Sequence, residues 1–411
     1  MKRIAIIGSG ISGIGAAYAL KDTADITLFE AQDRLGGHAC THVFDYDGHE
    51  TAVDLGFIVY NGLNYPNLIG LFDALGVKTQ ESDMSFAVSD RDGWEWASTA
   101  RGIFELAAGR IEDTTLGDWL DFHGFDQAFR CNYILPMGAA IWSTPEVGML
   151  DYPARSFFQF FENHRLMHKE RPQWRTVTGG SQSYVKAAAA ELGDRVRTGT
   201  PAIRVFPFGD KITVITADNR SHVFDDVILA THSDQALRLV EKGFEDQSFL
   251  LRSVHYRPNT IYLHRDPALM PSRRAAWASW NVIKQDNGDI CLSYWMNRLQ
   301  GLDDSRPLFI TLNPETAPRP ELTFHQYAFD HPQFDTAAEA AVRGLKRIQG
   351  QDGLWIAGAW MGRGFHEDGL KSGLSAALSL GGRVPWDAKG VDIHSPSRKT
   401  PVMEIAAEVS V

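Results

Sequence analysis

The chain has 411 residues, 44 % of them hydrophobic and 22 % charged, which suits a globular protein with two or three domains' worth of core. Its net charge of −11 and the lack of any Lys/Arg block argue against a nucleic-acid partner. Cys40, Cys131 and Cys291 are widely spaced and odd in number, so neither a disulfide framework nor a metal site is expected, which fits a reducing cytoplasm.

Lys2-Arg3 and the apolar residues after it imitate a signal peptide, but the glycines from Gly8 onward interrupt the run, so the segment is assigned to the fold. No window approaches the ~20 apolar residues that cross a bilayer. Ile4-Ala5-Ile6-Ile7 predicts a buried strand that runs into Gly8-Ser9-Gly10-Ile11-Ser12-Gly13 and then a small-residue helix. Gly8 permits a tight turn, Gly10 lets backbone approach a pyrophosphate, and Gly13 lets the helix pack close to its strand. The helix N-terminus offers free N–H groups to the anion. A second strand ends at Glu30, 22 residues after Gly8, where a carboxylate can accept hydrogen bonds from a ribose diol.

Asp33-Arg34-Leu35-Gly36-Gly37-His38 follows at once. Here the chain resembles the flavin amine oxidase and phytoene desaturase superfamily, whose first unit continues E-A-x-x-R-x-G-G; Glu30, Ala31, Arg34, Gly36 and Gly37 fill that pattern. The resemblance implies FAD, with Arg34 beside its phosphates and the glycine pair passing the flavin ring. It implies an α/β fold: a Rossmann-type FAD-binding domain with a discontinuous substrate domain of mixed sheet plus helical cap. The expected boundaries are 1–85, 193–245 and 345–385 for the FAD-binding domain, 86–192 and 246–344 for the substrate domain, and 386–411 for a polar tail.

Further along, Asp54-Leu55-Gly56 again resembles the superfamily, which places Gly56, Phe57 and Ile58 along the flavin. A helix is expected from Pro66 to a glycine stop at Gly76, strands from Met84 to Trp96, and a largely helical block over 101–190 broken at Pro136. Within that block Phe157, Phe158, Phe160 and Phe161, with a basic flank at His164, Arg165, His168, Lys169 and Arg171, fit either a core helix or a lipid-facing one. By resemblance, Val205 offers its backbone to the adenine, and a strand ending in Ala230-Thr231 returns to the nucleotide sheet.

The C-terminal anchor is Gly358-Ala359-Trp360 with Gly364-Phe365-His366-Glu367-Asp368-Gly369-Leu370. It resembles the superfamily motif in which a helix N-terminus stabilises charge on the reducible end of the flavin, with the donors expected at Gly369 and Leu370 and further contacts from Trp360 and His366. The family has an acid where Ala359 stands, so Glu367 or Asp368 are candidates to replace its contacts. No cysteine lies in this segment, which argues against a thioether-linked flavin.

Around the expected ring, His38, Tyr60 and His366 are the candidate catalytic groups, the imidazoles because they titrate near neutral pH, and His38, like His366, is equally a candidate flavin contact, while Trp360 and Phe365 are candidate walls for substrate. Segments 54–61, 82–86, 276–281 and 357–369 further resemble a bacterial branch associated with cyclopropane and methyl-branched fatty acid synthesis, which includes the methylene fatty acyl desaturases of furan fatty acid formation. That resemblance implies desaturation of a branched fatty acyl chain, phospholipid-bound, by a protein docked on the inner face of the cytoplasmic membrane and linked in function to a lipid methyltransferase. The alternatives are a flavin amine or polyamine oxidase and a flavoprotein without catalysis that partners such a methyltransferase.

Overall fold

The fold is described from a computed structural model covering residues 1–89, 95–97, 114–164, 166, 172–240, 243–285 and 290–395. A five-stranded parallel sheet lies at its centre, in the order Val196–Arg197, Asp25–Phe29, Arg3–Ile7, Asp226–Leu229, Leu354–Ile356. The strands alternate faces. Ile4, Ile6, Ile26, Leu28 and Ile228 pack into one core, and Ala5, Ile7, Phe29, Val227 and Leu229 into another. A sheet buried on both sides needs continuous apolar strands, which is what these sequences supply.

The first core lies under two helices, Ile11–Leu20 and His366–Ser379. Glycines set their spacing: a Cβ on Gly373 would lie 2.0 Å from the Ser12 carbonyl oxygen, and one on Gly15 2.3 Å from Leu370 Cδ1. The C-terminal helix begins at His366, so Gly369 lies inside it and its N–H already donates to the Phe365 carbonyl. The free first-turn N–H groups therefore belong to residues 366–368. This corrects the expectation that Gly369 and Leu370 are the donors, and both are buried against the first helix.

A seven-stranded mixed sheet forms the second layer, built from Phe86–Ser89, Glu95–Ala97, Tyr256–His264, Trp280–Lys284, Ile290–Trp295, Phe309–Leu312 and Thr323–Pro332. Helices Leu116–Phe122, Leu135–Trp142, Glu146–Leu150 and Ala154–Asn163 cap it. Pro136 does not break this block, because it occupies the first turn of its helix, where its missing N–H costs nothing, directly after a π-helical stretch at Arg130–Ile134. Phe157, Phe158, Phe160 and Phe161 are all buried in the cap core, so this helix is a core helix and offers no lipid-facing stripe. Of its expected basic flank, Arg165, His168, Lys169 and Arg171 lie outside the described residues.

The expected tail is partly packed. Trp386 stacks on Tyr18 at 5.9 Å and covers Gly70, the Lys389 carbonyl accepts from Asn67 Nδ2, and His394 N donates to Ser379 Oγ. Residues 396–411 lie outside the described residues.

Asp54 clamps three segments together. Its carboxylate accepts from Thr41 Oγ1 at 2.6 Å, from the Ser181 N–H at 2.8 and 2.9 Å, from Ser181 Oγ at 2.7 Å and from Gln300 Nε2 at 2.9 Å. Burial pushes its pKa up to about 6 against the pull of these donors. Asp54→Ala leaves several buried donors without an acceptor, so it is expected to destabilise the fold by about 2–3 kcal/mol, read as a lower urea midpoint with unchanged slope.

Candidate active site

The glycine turn has the expected shape. A Cβ on Gly8 would lie 2.7 Å from the Ala230 carbonyl oxygen, and one on Gly13 1.9 Å from the Gly8 carbonyl oxygen, while nothing lies within 4 Å of one on Gly10. Gly8 and Gly13 are thus filled by the fold itself, and Gly10 opens onto free space. Glu30 Oε2 accepts from the Ser9 N–H at 2.9 Å and from Ser9 Oγ at 2.5 Å, and Oε1 accepts from the Gln32 N–H at 2.9 Å. Ser9 is fully buried and also accepts from the Gly36 N–H. It was missed in the sequence as one of the x positions of the turn, yet it ties the acid and the Gly36-Gly37 pair to the phosphate cradle.

Arg34 Nη1 donates to the Gly37 carbonyl at 2.9 Å, and Gly37 abuts Gly10, so Arg34 holds the glycine pair over the turn. Ala31 is exposed. Ser12 faces Gly369 and Gly373 across the helix contact. Ala230 and Thr231 end their strand against Gly8, as expected. The Phe57 N–H donates to the His38 carbonyl, and a Cβ on Gly56 would collide with that oxygen at 2.2 Å. Phe57 in turn stacks on His366 at 3.7 Å, so His38, Gly56, Phe57 and His366 come together as the sequence predicts.

Four predicted residues do not join them as expected. Val205 is fully buried in the core, paired to Val214 on one side, with an isolated bridge to Val240 on the other. Trp360 is buried beneath the parallel sheet with its indole N–H donated to the Thr231 carbonyl, so it is no substrate wall. Tyr60 sits in the core between Tyr65 and Phe72. Ile58 is buried in the second core and its carbonyl accepts from Thr176 Oγ1, so it serves packing.

The candidate bases behave differently from free imidazoles. His366 is hydrogen-bonded through Nε2 to the Tyr184 hydroxyl at 2.9 Å, and burial pushes its pKa down to about 3, so it stays neutral and engaged. His38 Nε2 is covered by protein and has no partner. Burial, then the neighbouring histidines, hold its pKa well below the usual range. At Ala359 no acid takes over: Ser372 Oγ accepts from the Gly358 N–H at 2.9 Å. Asp368 accepts from the N–H groups of Arg363 and Phe365, and Glu367 from those of Asn67 and Leu68 at the start of helix Pro66–Ala74.

Phe365 opens onto a cleft of about 520 Å³ shared with Tyr65, Phe160, His164, Arg363 and Lys371. Phe365 stacks on Phe160 at 4.7 Å and Phe160 on His164 at 3.8 Å. Burial lowers the His164 pKa to about 4, so this aromatic wall carries no charge near neutral pH. The acids Glu162, Glu367 and Asp368 line the cleft too; Glu367 accepts through both oxygens, from Asn67 and Leu68, and Asp368 accepts through Oδ2, from the N–H groups of Arg363 and Phe365.

An FAD fits these residues. The open face of Gly10, the carboxylate of Glu30 and the unpartnered imidazole nitrogens His38 Nε2 and His232 Nδ1 are what a dinucleotide would use. Left empty, each such buried nitrogen costs about 1–3 kcal/mol.

Two predictions follow from this geometry. Gly10→Ala is expected to fold normally, since Gly10 has φ −63° and open space at Cβ, yet to purify without yellow colour; Gly13→Ala is expected to fail to fold. Absorbance and circular dichroism of the two proteins check this. Stability is also expected to fall between pH 7 and 5. His164, His264 and His331, each near 4, and His366, near 3, are depressed, so their contribution is complete above the unfolded value of about 6.5 and is lost as pH falls toward the folded values. Asp54, raised to about 6, Glu146, raised to about 7, and Glu367 and Asp368, also raised by burial, work in the opposite direction, but His38, His42, His222, His232 and His394 are depressed as well and keep the balance with the imidazoles. A thermal midpoint that rises on acidification would contradict the assignment.

Comparison with known proteins agrees with this geometry. Residues 6–75 match the NAD(P)-binding Rossmann-like domain and residues 112–267 the flavin containing amine oxidoreductase family. The chain is 25 % identical over 375 residues to tryptophan 2-monooxygenase of Pseudomonas savastanoi, covering 73 % of this chain and 66 % of that protein's length. Among solved structures it superposes on putrescine oxidase bound to putrescine with TM-score 0.69 at 16 % identity, covering 92 % of this chain and 98 % of the other. It superposes on a fatty acid isomerase from P. acnes with TM-score 0.64 at 14 % identity, covering 90 % and 97 %. At those identities the structures speak for the fold alone. The chain spans less than two thirds of the length of the curated relatives it matches. Its segment 6–75 is similar to a Rossmann-like dinucleotide-binding domain and its segment 112–267 to flavin containing amine oxidoreductases, and the cofactor to which these matches point is FAD.

Proposed function

We propose that this oxidoreductase desaturates an apolar acyl chain, a methylene- or methyl-branched fatty acyl group carried on phospholipid. The observation that carries the reading is the cleft at Phe365. Its wall is Phe160, Phe365 and a neutral His164, Glu367 accepts from Asn67 and Leu68 and Asp368 Oδ2 from Arg363 and Phe365, and Arg363 and Lys371 contribute positive charge. An apolar chain with an anionic head matches both this wall and these cations.

FAD, once bound, would supply a two-electron acceptor for the hydride that desaturation removes, and the proton from the neighbouring carbon would pass to solvent at the cleft. The chain's own contribution is to hold and to exclude. Phe160 and Phe365 fix an apolar segment by stacking and contact, the first-turn N–H groups of residues 366–368 present positive partial charge, and Tyr184 fixes the ring of His366 against Phe57. Phe122 and Val147 stand exposed on neighbouring helices of the cap and are the residues assigned to a membrane surface.

A second reading, oxidation of an amine, is favoured by the match to tryptophan 2-monooxygenase. The fold does not decide between the two, since it also carries fatty acid isomerisation in P. acnes.

Anaerobic mixing separates the readings. Phospholipids with methylene-branched chains are expected to bleach the flavin and to lose two hydrogens by mass; bleaching by amines alone transfers the chain to the second reading. Phe365→Ala is expected to slow bleaching by lipid at least about tenfold while FAD stays bound, the cost of removing one aromatic wall.

A further inference from the structure

Three histidines from three parts of the chain meet beside the glycine turn. His38 follows Gly37, which abuts Gly10, and His232 follows Ala230-Thr231, which abut Gly8. The two rings therefore arrive from opposite sides of the phosphate cradle, with centroids 5.9 Å apart. His331 comes from the strand Thr323–Pro332 of the seven-stranded sheet, 5.5 Å from His38. Among the described residues no group of three His, Cys, Asp or Glu is arranged to hold a metal ion.

The hydrogen-bond directions can be followed outward from a backbone amide. The Thr260 N–H donates to Asn313 Oδ1, so Asn313 Nδ2 donates to Asn259 Oδ1, and Asn259 Nδ2 donates to His331 Nδ1 at 2.7 Å. His331 therefore carries its proton on Nε2, a tautomer set by the network. His38 Nε2 and His232 Nδ1, by contrast, are covered and unpartnered, although both residues keep part of their surface open. Burial lowers all three pKa values, so the group is uncharged near neutral pH. Phe329 at 4.8 Å from His38 and Tyr256 at 4.3 Å from His232 hold the rings in place by stacking.

We propose that His38 and His232 form a polar wall of the cofactor site, His38 Nε2 and His232 Nδ1 each hydrogen-bonded to a polar atom of the bound flavin nucleotide, with His331 as the positioning residue that fixes their packing. The assignment rests on FAD binding and adds His232 and His331 to its site. Of the two roles the sequence offers for His38, cofactor contact and proton acceptor, it selects the first.

The test uses full-length protein with ¹⁵N-labelled histidine, stripped of flavin and then titrated with FAD. Ring resonances, assigned through His38→Gln and His232→Gln, are expected to move for His38 and His232 and to stay fixed for His264, which is buried and already bonded to Thr311 and Asp266. His232→Leu and His38→Leu are each expected to weaken FAD binding about tenfold, the effect of one lost hydrogen bond, and His331→Leu to shift the His38 resonance in the apoprotein. FAD that binds the unmodified protein while the His38 and His232 resonances stay still overturns the proposal. That measurement stands even if a variant fails to fold. Failure of the unmodified protein to bind FAD at all would instead remove the cofactor assignment on which the proposal rests.

Discussion

The site depends on the close approach of two helices. Ile11–Leu20 and His366–Ser379 run side by side in the same direction: Ser12 meets Gly369 and Gly373, Gly15 meets Leu370, and Ala19 meets Gly382. Side chains larger than glycine at positions 369 and 373 would push them apart. Because the helices are parallel, both present their N-terminal, positively polarised ends to the same region, an arrangement that disfavours the empty state and favours an electron-rich ligand there. The phosphate turn and the charge-stabilising helix start are thus two consequences of one packing contact.

Around that contact, buried acids serve as joints between segments. Asp54 joins Thr41, the turn at Ser181 and Gln300, three segments far apart in the chain. Glu367 sits in the first turn of one helix and caps the N-terminus of another through Asn67 and Leu68. Asp368 folds the loop 363–365 back on its own helix and so sets where Phe365 stands. Each carboxylate is stabilised mainly by N–H and O–H donors, with Lys371 4.0 Å from Glu367 Oε1 as well, which is how charge is buried where hydrogen bonds replace water.

The imidazoles follow the opposite rule and are buried without charge. Burial depresses His38, His164, His331 and His366, so these imidazoles stay uncharged as pH varies near 7. An aromatic, donor-rich site suits acceptance of a hydride, because negative charge that builds on the acceptor meets dipoles already in place.

By itself the sequence determined the Rossmann unit, the helix from Pro66 to its glycine stop, the meeting of Gly8, Gly10, Glu30, Gly36 and Gly37, and the approach of His38 and Phe57 to His366. These are local patterns, in which period, glycine spacing and turn chemistry act over a few tens of residues or match a motif as a whole. Tertiary structure decided the rest. Val205 and Trp360 look equally fit for a cofactor edge or a core until the fold buries both and Trp360 donates to Thr231, and the phenylalanines of Ala154–Asn163 become core only because other cap helices cover them. Ser9, Tyr184, His232 and His331 carry no local signal, since each acquires its role from a partner far away in the chain. Sequence patterns report the period of one segment. Which faces meet is settled by long-range packing, and the polar side chains trapped between those faces then take the only partners left to them.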